Sequence, residues 1–219
     1  MEYWRGQAQQ DKFVLNVLKR KRDGFFLEIG SNHPHEINNS YLAETQYGWK
    51  GIMIEFESRF LPMYKEQRKN SIHIIQDATT INYADLLKNT NAPKNIDYLQ
   101  IDLEANNGST INTLKKLDNE IMSNYTFSTV TFEHDRYHTN YGNTRLQSRK
   151  IFEKRGYYCV FEDINNCGIN PYEDWYVYPS TVDMNYVEQL QENNKKHYKN
   201  VTIDDGTVLN SINWQDIEY

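Results

Sequence analysis

The sequence contains few of the features that mark secreted or membrane-spanning proteins. Its 219 residues include only two cysteines, Cys159 and Cys167, too few for a disulfide framework or a four-cysteine zinc site. No apolar run approaches the roughly 20 residues of a membrane span, and the N-terminus lacks the apolar centre of a secretory signal. We therefore expect one domain of generous size, with reduced thiols, no membrane span and a cytoplasmic location.

Positive charge is also scarce. The chain has 24 Lys and Arg against 30 Asp and Glu, a formal net charge of −6. A protein that binds a phosphate backbone with its whole surface normally carries the opposite bias, so we expect no nucleic-acid partner. A small-molecule or glycan partner fits this balance better, and a homo-oligomer stays open as an alternative.

Glycine is sparse where a nucleotide phosphate would need it. Of the 10 glycines, only Gly30 falls in the turn over residues 30–36, whereas the dinucleotide fingerprint G-x-G-x-x-G needs three. The chain also lacks the G-x-x-x-x-G-K-[ST] loop of nucleoside triphosphatases. The first turn is therefore a poor site for a pyrophosphate.

Short apolar runs alternate with helical stretches, a pattern typical of a parallel sheet covered by helices. The predicted strands are residues 24–30, 51–55, 71–77, 96–102, 127–133, 157–163 and 174–178. The predicted helices are residues 11–22, about 38–47, 110–117, 143–155 and 187–198. Only ten residues separate the last two strands, so they should pair antiparallel. The prediction is an α/β fold with a doubly wound, mostly parallel seven-stranded sheet and a C-terminal antiparallel hairpin.

Acidic residues stand at the ends of the predicted strands. They are Glu28, Glu55, Asp77, Asp102 and Glu133. Ligands of open α/β sheets bind beyond the carboxyl ends of the strands, so one ligand could meet several of these acids. Acids also favour loops near helix N-termini for structural reasons alone.

The positions of these residues fit an adenosine. Gly30 lets the backbone approach a ligand, and the Glu55 carboxylate can accept hydrogen bonds from both hydroxyls of a ribose. Asp77 can accept a hydrogen bond from the exocyclic amine of an adenine. A phosphate-free cofactor with a positive centre suits an acidic edge, and S-adenosylmethionine carries a sulfonium, an amino group, a ribose and an adenine. We therefore predict S-adenosylmethionine as the cofactor.

Several stretches of the chain resemble the FkbM family of S-adenosylmethionine-dependent methyltransferases. They are residues 7–11, 24–32, 38–44, 47–55, 96–104, 156–158 and 173–177, so the resemblance covers roughly residues 4–180. It implies a Rossmann-like class I methyltransferase fold and O-methylation of a hydroxyl on a saccharide, glycan or related small molecule. The sequence departs from the family at His33, Pro34 and His35, where small residues are more usual.

The resemblance also sets the predicted domain limits. The methyltransferase domain spans residues 1–180, with an opening helix over 11–22 and the core over 24–180. Residues 181–219 should form a C-terminal helix and a tail that pack on the same domain.

The predicted cofactor site combines the strand-end acids with residues that the resemblance adds. It comprises Gln10, Glu28, Gly30, Ser31, Asn32, Asn39, Glu55, Asp77, Ala78 and Asp102. Of these, Gln10 rests on the resemblance alone. His33 and His35 flank Pro34 beside this site, but two histidines without a third ligand do not predict a metal site.

The predicted catalytic residues follow the fourth and fifth strands. His134 is the first choice as general base, because an unperturbed pKa of about 6.5 leaves neutral imidazole available. Asp102 or Glu133 would orient it or act as the base. A divalent ion held by these three residues is an alternative that we do not favour.

Four residues are predicted to contact the acceptor. They are Glu104, Tyr137, Arg145 and Trp175, with Tyr141 and Tyr176 as further members of an aromatic wall. Packing in the hairpin and the core is the interpretation that we favour for Trp175 and Tyr176, and a solvated helix face is the alternative for Arg145.

Two other functions compete with an O-methyltransferase. One is a non-catalytic protein that binds the adenosine cofactor with a degenerate active site. The other is an enzyme that uses a nicotinamide cofactor, against which the single glycine of the first turn argues.

Overall fold

The computed structural model describes residues 3–138 and 142–219, and the strands of these residues form one nine-stranded sheet. The strands are β1 (Phe25–Ile29), β2 (Lys50–Glu55), β3 (Ser71–Ile75), β4 (Asn95–Ile101), β5 (Thr126–Glu133), β6 (Tyr158–Asn166), β7 (Asn170–Val177), β8 (Lys199–Thr202) and β9 (Val208–Asn213). The helices are α1 (Gln10–Val17), α2 (Tyr41–Tyr47), α3 (Leu61–Gln67), α4 (Tyr83–Asn89), α5 (Ser109–Glu120), α6 (Gly142–Lys154) and α7 (Met184–Asn194).

The strand order places the candidate site. It is β3-β2-β1-β4-β5-β7-β6-β9-β8, with parallel pairs from β3 to β5 and antiparallel pairs on both sides of β7. This confirms the predicted doubly wound, mostly parallel sheet with a C-terminal antiparallel hairpin. The chain moves from β1 outward to β2 and β3 and then returns to β4, so the topological switch point lies between β1 and β4.

Helices cover both faces of the sheet, which explains why its strands are apolar runs. On β1, Phe26 faces one cluster of buried side chains with Phe13 of α1, and Leu27 faces the opposite cluster with Leu114 of α5. None of the helices in the two described ranges is both long enough and apolar enough to cross a bilayer.

The C-terminal segment adds two strands to the seven that the sequence predicts. β9 pairs in parallel with β6 through Ile164–Ile212 and Asn165–Asn213, and β8 pairs antiparallel with β9. Val187 of α7 and Ile212 belong to the larger buried cluster on one face of the sheet. The segment therefore extends both the sheet and the core.

Other boundaries also differ from the prediction. The opening helix ends at Val17 because Lys19 and Arg20 adopt left-handed backbone, with φ of 50° and 55°. β6 and β7 are longer than predicted, so their connection is residues 167–169 rather than ten residues. Two helices, α3 and α4, form where the sequence analysis predicted none.

Candidate active site

Gly30 is the point at which three strand ends converge. Its backbone has a φ of +85°, and its N–H and that of Ser31 donate to the Ile54 carbonyl at 2.9 and 3.1 Å. A Cβ at this position would lie 1.7 Å from the carbonyl oxygen of Asp102. Glycine is therefore required here by the close approach of β4, as well as by the left-handed turn.

Glu55 ends β2 and organises the loop after β1. One carboxylate oxygen accepts from the N–H of Asn32 at 2.8 Å, and the other accepts from the N–H of Glu57 at 2.8 Å. A carboxylate offers about four lone-pair positions, so two remain for further donors. Glu55 thus holds its neighbours in place and can still accept bonds from a pair of hydroxyls.

A first cavity of about 240 Å³ opens at the carboxyl ends of β2 and β3. Its walls include Glu55, Phe56, Asp77, Ala78, Leu103 and Glu104. The Phe56 side chain is 73% exposed, which leaves its aromatic ring available for stacking. Glu104, which was predicted to contact the acceptor, lies in this cavity beside the predicted adenosine residues.

A second cavity of about 520 Å³ lies on the other side of the loop after β1. Its walls include Gly30, Ser31, Asn32, Gln100 and Asp102, together with Gln7, His33, Glu36, Ile37, Arg59, Phe60 and Met63. The two cavities adjoin, because Asn32 of the second is hydrogen-bonded to Glu55 of the first, and Asp102 and Leu103 are consecutive. Both lie along the carboxyl edge of the sheet, and we refer to the two cavities together as the cleft.

A group of carboxyls stands behind the second cavity. The carboxyl of Glu133 is hydrogen-bonded to that of Asp102, and burial together with the Asp102 charge raises the pKa of Glu133 well above its usual range. Burial also raises the pKa of Asp135. Glu173 pairs with Glu133 across β5 and β7, and burial raises the pKa of Glu173 to about 8. Burial and the neighbouring Asp102 charge thus both favour the protonated form of Glu133.

Glu28 lies beneath the loop after β1 and outside both cavities. Its side chain is fully buried and accepts from the Asn38 amide at 3.2 Å. Burial raises the pKa of Glu28, opposed by the nearby Arg68 cation. In this position Glu28 supports the loop rather than facing the cleft.

Gln10 and Asn39 also stand one layer behind the cleft. The Gln10 amide donates to a Glu173 carboxyl oxygen at 2.9 Å, and the Asn39 amide donates to the Gln100 carbonyl oxygen at 2.8 Å. Gln100 itself lines the second cavity. Alternation along β4 places Gln100 on the same side as Asp102, a signal that the sequence analysis did not use.

His134 is placed differently from its predicted role as general base. The imidazole is fully buried, its Nδ1 accepts from the Arg136 N–H at 3.1 Å, and its Nε2 lies 3.3 Å from an Asp174 oxygen. Successive residues at the end of β5 point to opposite sides of the sheet, so Glu133 meets Asp102 while His134 meets β6 and β7. This geometry places His134 apart from Asp102 and Glu133, so the structure does not bring together the three residues predicted to act as base or to hold an ion.

Two predicted acceptor contacts are occupied within the fold. Arg145 donates from Nε to an Asp163 oxygen at 2.6 Å, next to the buried His134. Trp175 is fully buried, and its indole N–H donates to Glu173 at 2.9 Å while its ring packs 4.8 Å from that of Phe13. Trp175 is therefore a core residue, and neither side chain faces the cleft.

The predicted aromatic wall is not found at the two cavities within the described residues. Tyr137 is half-buried, donates its backbone N–H to the Pro171 carbonyl at 2.9 Å, and does not contribute to the walls of the two cavities. Tyr141 lies outside the described residues.

Comparison with known proteins supports the fold. No protein-family model and no curated protein matches the sequence, so membership of the FkbM family stays a prediction. The methyltransferase domain of METTL16 superposes with a TM-score of 0.57 at 10% identity, over 81% of this chain and 68% of that one.

Two bacterial structures are similar to a comparable degree. A protein described as an rRNA methylase, from Clostridium thermocellum, has a TM-score of 0.52 at 9% identity, over 81% of this chain and 99% of that one. Precorrin-6y C5,15-methyltransferase from Geobacter metallireducens has a TM-score of 0.52 at 12% identity, over 77% and 86%. At such low identity the likeness shows a shared architecture, and the chain has the Rossmann-like class I methyltransferase fold.

Proposed function

We propose that this chain is an S-adenosylmethionine-dependent O-methyltransferase. The observation that supports this most directly is the adjoining pair of cavities at the switch point, with Glu55 on the wall of the first and Asp102 on the wall of the second. The first has the groups for a nucleoside, and the second has room for an acceptor.

The donors and acceptors present fit the cofactor. Glu55 has unused lone pairs for the two ribose hydroxyls, and Asp77 can accept from an adenine amine. Phe56 offers an exposed ring for stacking. Gly30 and Asp102, on the second cavity, would hold the end of the cofactor that carries the amino group and the sulfonium.

The same walls do not suit a diphosphate. Glu55, Asp77 and Glu104 line the first cavity and would repel phosphate groups. The turn at Gly30 also lacks the additional glycines of dinucleotide-binding loops. A nicotinamide cofactor is therefore the weaker alternative.

The carboxyl pair is our candidate for proton removal from the acceptor. When bound, S-adenosylmethionine supplies an electrophilic methyl group, so the protein has to align the acceptor oxygen and take up its proton. Asp102 lines the second cavity, and its carboxyl is hydrogen-bonded to that of Glu133. Asp102 would accept the hydroxyl proton, and Glu133 would hold the Asp102 carboxyl in position.

The acceptor that we propose is a hydroxyl of a saccharide, glycan or related small molecule. The FkbM resemblance supports it, as do the polar walls of the second cavity, which include Gln7 and Gln100. RNA is the alternative acceptor to consider, because the similar structure from Clostridium thermocellum is described as an rRNA methylase. The walls of the second cavity carry two carboxylates, Glu36 and Asp102, and one guanidinium, Arg59. This charge balance disfavours a polyanion such as RNA.

Calorimetry and a methyl-transfer assay test this proposal. Titration with S-adenosylhomocysteine should show one saturable site, and NAD should bind much more weakly or not at all. Labelled methyl from S-adenosylmethionine should then transfer to members of a saccharide panel and not to RNA. Tight binding of NAD alone would contradict the proposal, whereas cofactor binding without transfer to any acceptor would favour the non-catalytic alternative.

A further inference from the structure

The loop after β1 brings together two histidines and a glutamate. One ring nitrogen from each of His33 and His35 and one carboxylate oxygen of Glu36 all lie within 4.8 Å of one another. The two imidazole rings meet edge to face, with centroids 4.6 Å apart. The structure thus brings Glu36 to the two histidines as a third possible ligand, which the sequence alone did not identify.

A hydrogen bond holds the His35 ring in one tautomer. Its Nδ1 lies 2.7 Å from the Gln67 side-chain oxygen, which can only accept, so Nδ1 carries the proton. In this tautomer Nε2 carries the lone pair that a metal would use, and Nε2 lies 3.9 Å from a Glu36 oxygen. Histidines that bind metals are commonly oriented in this way by a bond to their other nitrogen.

Buried contacts hold the backbone between the two histidines. The Pro34 carbonyl accepts from Nη1 of Arg68 at 3.0 Å, and Arg68 is itself fully buried and paired with Glu44 at 2.8 Å. His33 accepts at Nδ1 from the Glu36 N–H at 3.1 Å, a bond that a cation at that nitrogen would replace. These contacts anchor the backbone at Pro34, between the two histidines.

We propose that His33, His35 and Glu36 bind one divalent transition-metal cation, with zinc as the ion to use as a probe. Imidazole and carboxylate ligands suit zinc, and three protein ligands leave a further coordination position open. Bond lengths near 2.1 Å put the ligands of one ion roughly 3.4 Å apart, so separations that now lie within 4.8 Å must shorten by at most about 1.4 Å. Since His33 and Glu36 line the second cavity, the ion would lie at the wall of the space assigned to the acceptor.

The second cluster with suitable ligand types does not compete for this role. His134, Asp163 and Asp174 also converge, but Arg145 and Arg149 already pair with the two aspartates at 2.6 and 2.7 Å. Those guanidiniums balance the buried charge and fill the space that an ion would need.

Calorimetric titration of the tag-free protein with Zn²⁺ tests the proposed site. The wild-type chain should bind one equivalent, and bound Co²⁺ should show visible absorption bands. His35→Ala should weaken Zn²⁺ binding by about 100-fold or more, Glu36→Gln by about 10-fold or more, and Gln67→Ala by about 10-fold through the loss of ring orientation. His197→Ala is the matched control, because His197 lies 3.0 Å from Glu218 and belongs to neither of the ligand clusters found among the described residues, and it should change nothing.

Two outcomes would overturn the proposal. One is a wild-type chain that fails to bind an equivalent of Zn²⁺, and the other is binding that His35→Ala and Glu36→Gln leave unchanged. The affinity for S-adenosylhomocysteine is measured separately, so failure of the metal site leaves the proposed function standing, and the reverse also holds.

Discussion

Replacing Glu55 tests the assignment of the first cavity to a nucleoside. In Glu55→Ala, the cofactor loses the two acceptor positions that the carboxylate has left after bonding the N–H groups of Asn32 and Glu57. A hydrogen bond to a charged group contributes about 1.5–3 kcal/mol, and water partly replaces it in a cleft open to solvent. We expect a net loss of about 1–3 kcal/mol, which corresponds to a dissociation constant for S-adenosylhomocysteine about 5- to 150-fold higher.

Two further variants separate the loss of these hydrogen bonds from a change in side-chain shape and from a general change in charge. Glu55→Gln keeps the shape and one acceptor oxygen, so its loss should be smaller than that of Glu55→Ala. Glu57→Ala removes a neighbouring carboxylate that is paired with Arg59 outside the first cavity, and it should change the affinity less than about 3-fold.

Calorimetry at constant ionic strength provides the comparison, with thermal unfolding as a check that each variant is folded. An unchanged affinity in folded Glu55→Ala would refute the ribose assignment. Equal losses in Glu55→Ala and Glu57→Ala would show that general charge, rather than a specific contact, causes the effect.

Three further predictions concern Gly30, Glu133 and Glu173. Gly30→Ala should lower the unfolding free energy by more than about 3 kcal/mol, because the new Cβ would lie 1.7 Å from a carbonyl oxygen. Gly206 has a similar left-handed backbone in open space, so Gly206→Ala should lower the unfolding free energy by only about 1–2 kcal/mol. Equal losses for the two variants on chemical denaturation would contradict this. Glu133→Gln should lower kcat about 10-fold or more and weaken the dependence of kcat on pH, because it removes a carboxyl whose pKa is raised by burial. An unchanged pH profile of kcat would remove the pair of Glu133 and Asp102 from the mechanism. Burial raises the pKa of Glu173 from 4.5 to about 8, so the folded chain holds this proton more tightly than the unfolded chain, and the unfolding free energy should fall by a few kcal/mol between about pH 5 and pH 8. Glu173→Gln should fall much less over that range, and parallel curves for the two proteins would contradict the assignment.

The strands and their acidic ends were predictable because helices cover both faces of the sheet. A parallel strand buried on both faces must be apolar until it leaves the sheet, so a run that ends in an acid marks the carboxyl edge. Glu55, Asp77 and Asp102 were found in this way, and all three lie on cavity walls.

The groups that a side chain meets at a strand end were not predictable from local sequence. Glu133 and His134 are neighbours, yet one meets Asp102 and the other meets Asp174. That difference depends on the register of β5 with β7, a strand some forty residues later in the chain. The burial of Trp175 depends on the same long-range pairing.

Some missed elements had local signals. α4 begins after Asn82, whose side chain accepts from the Asp85 N–H at 3.0 Å, a typical N-cap. α3 carries Pro62 in its first turn, where proline is favoured. The β8–β9 hairpin turns at Asp205 and Gly206, a pair that favours hairpins.

The structure of the complex with S-adenosylhomocysteine would test the central claim most directly. We predict the adenosine in the first cavity, with both ribose hydroxyls on Glu55, and the sulfur on the side of Gly30 and Asp102. An adenosine outside the first cavity, or a ribose that makes no contact with Glu55, would contradict the account.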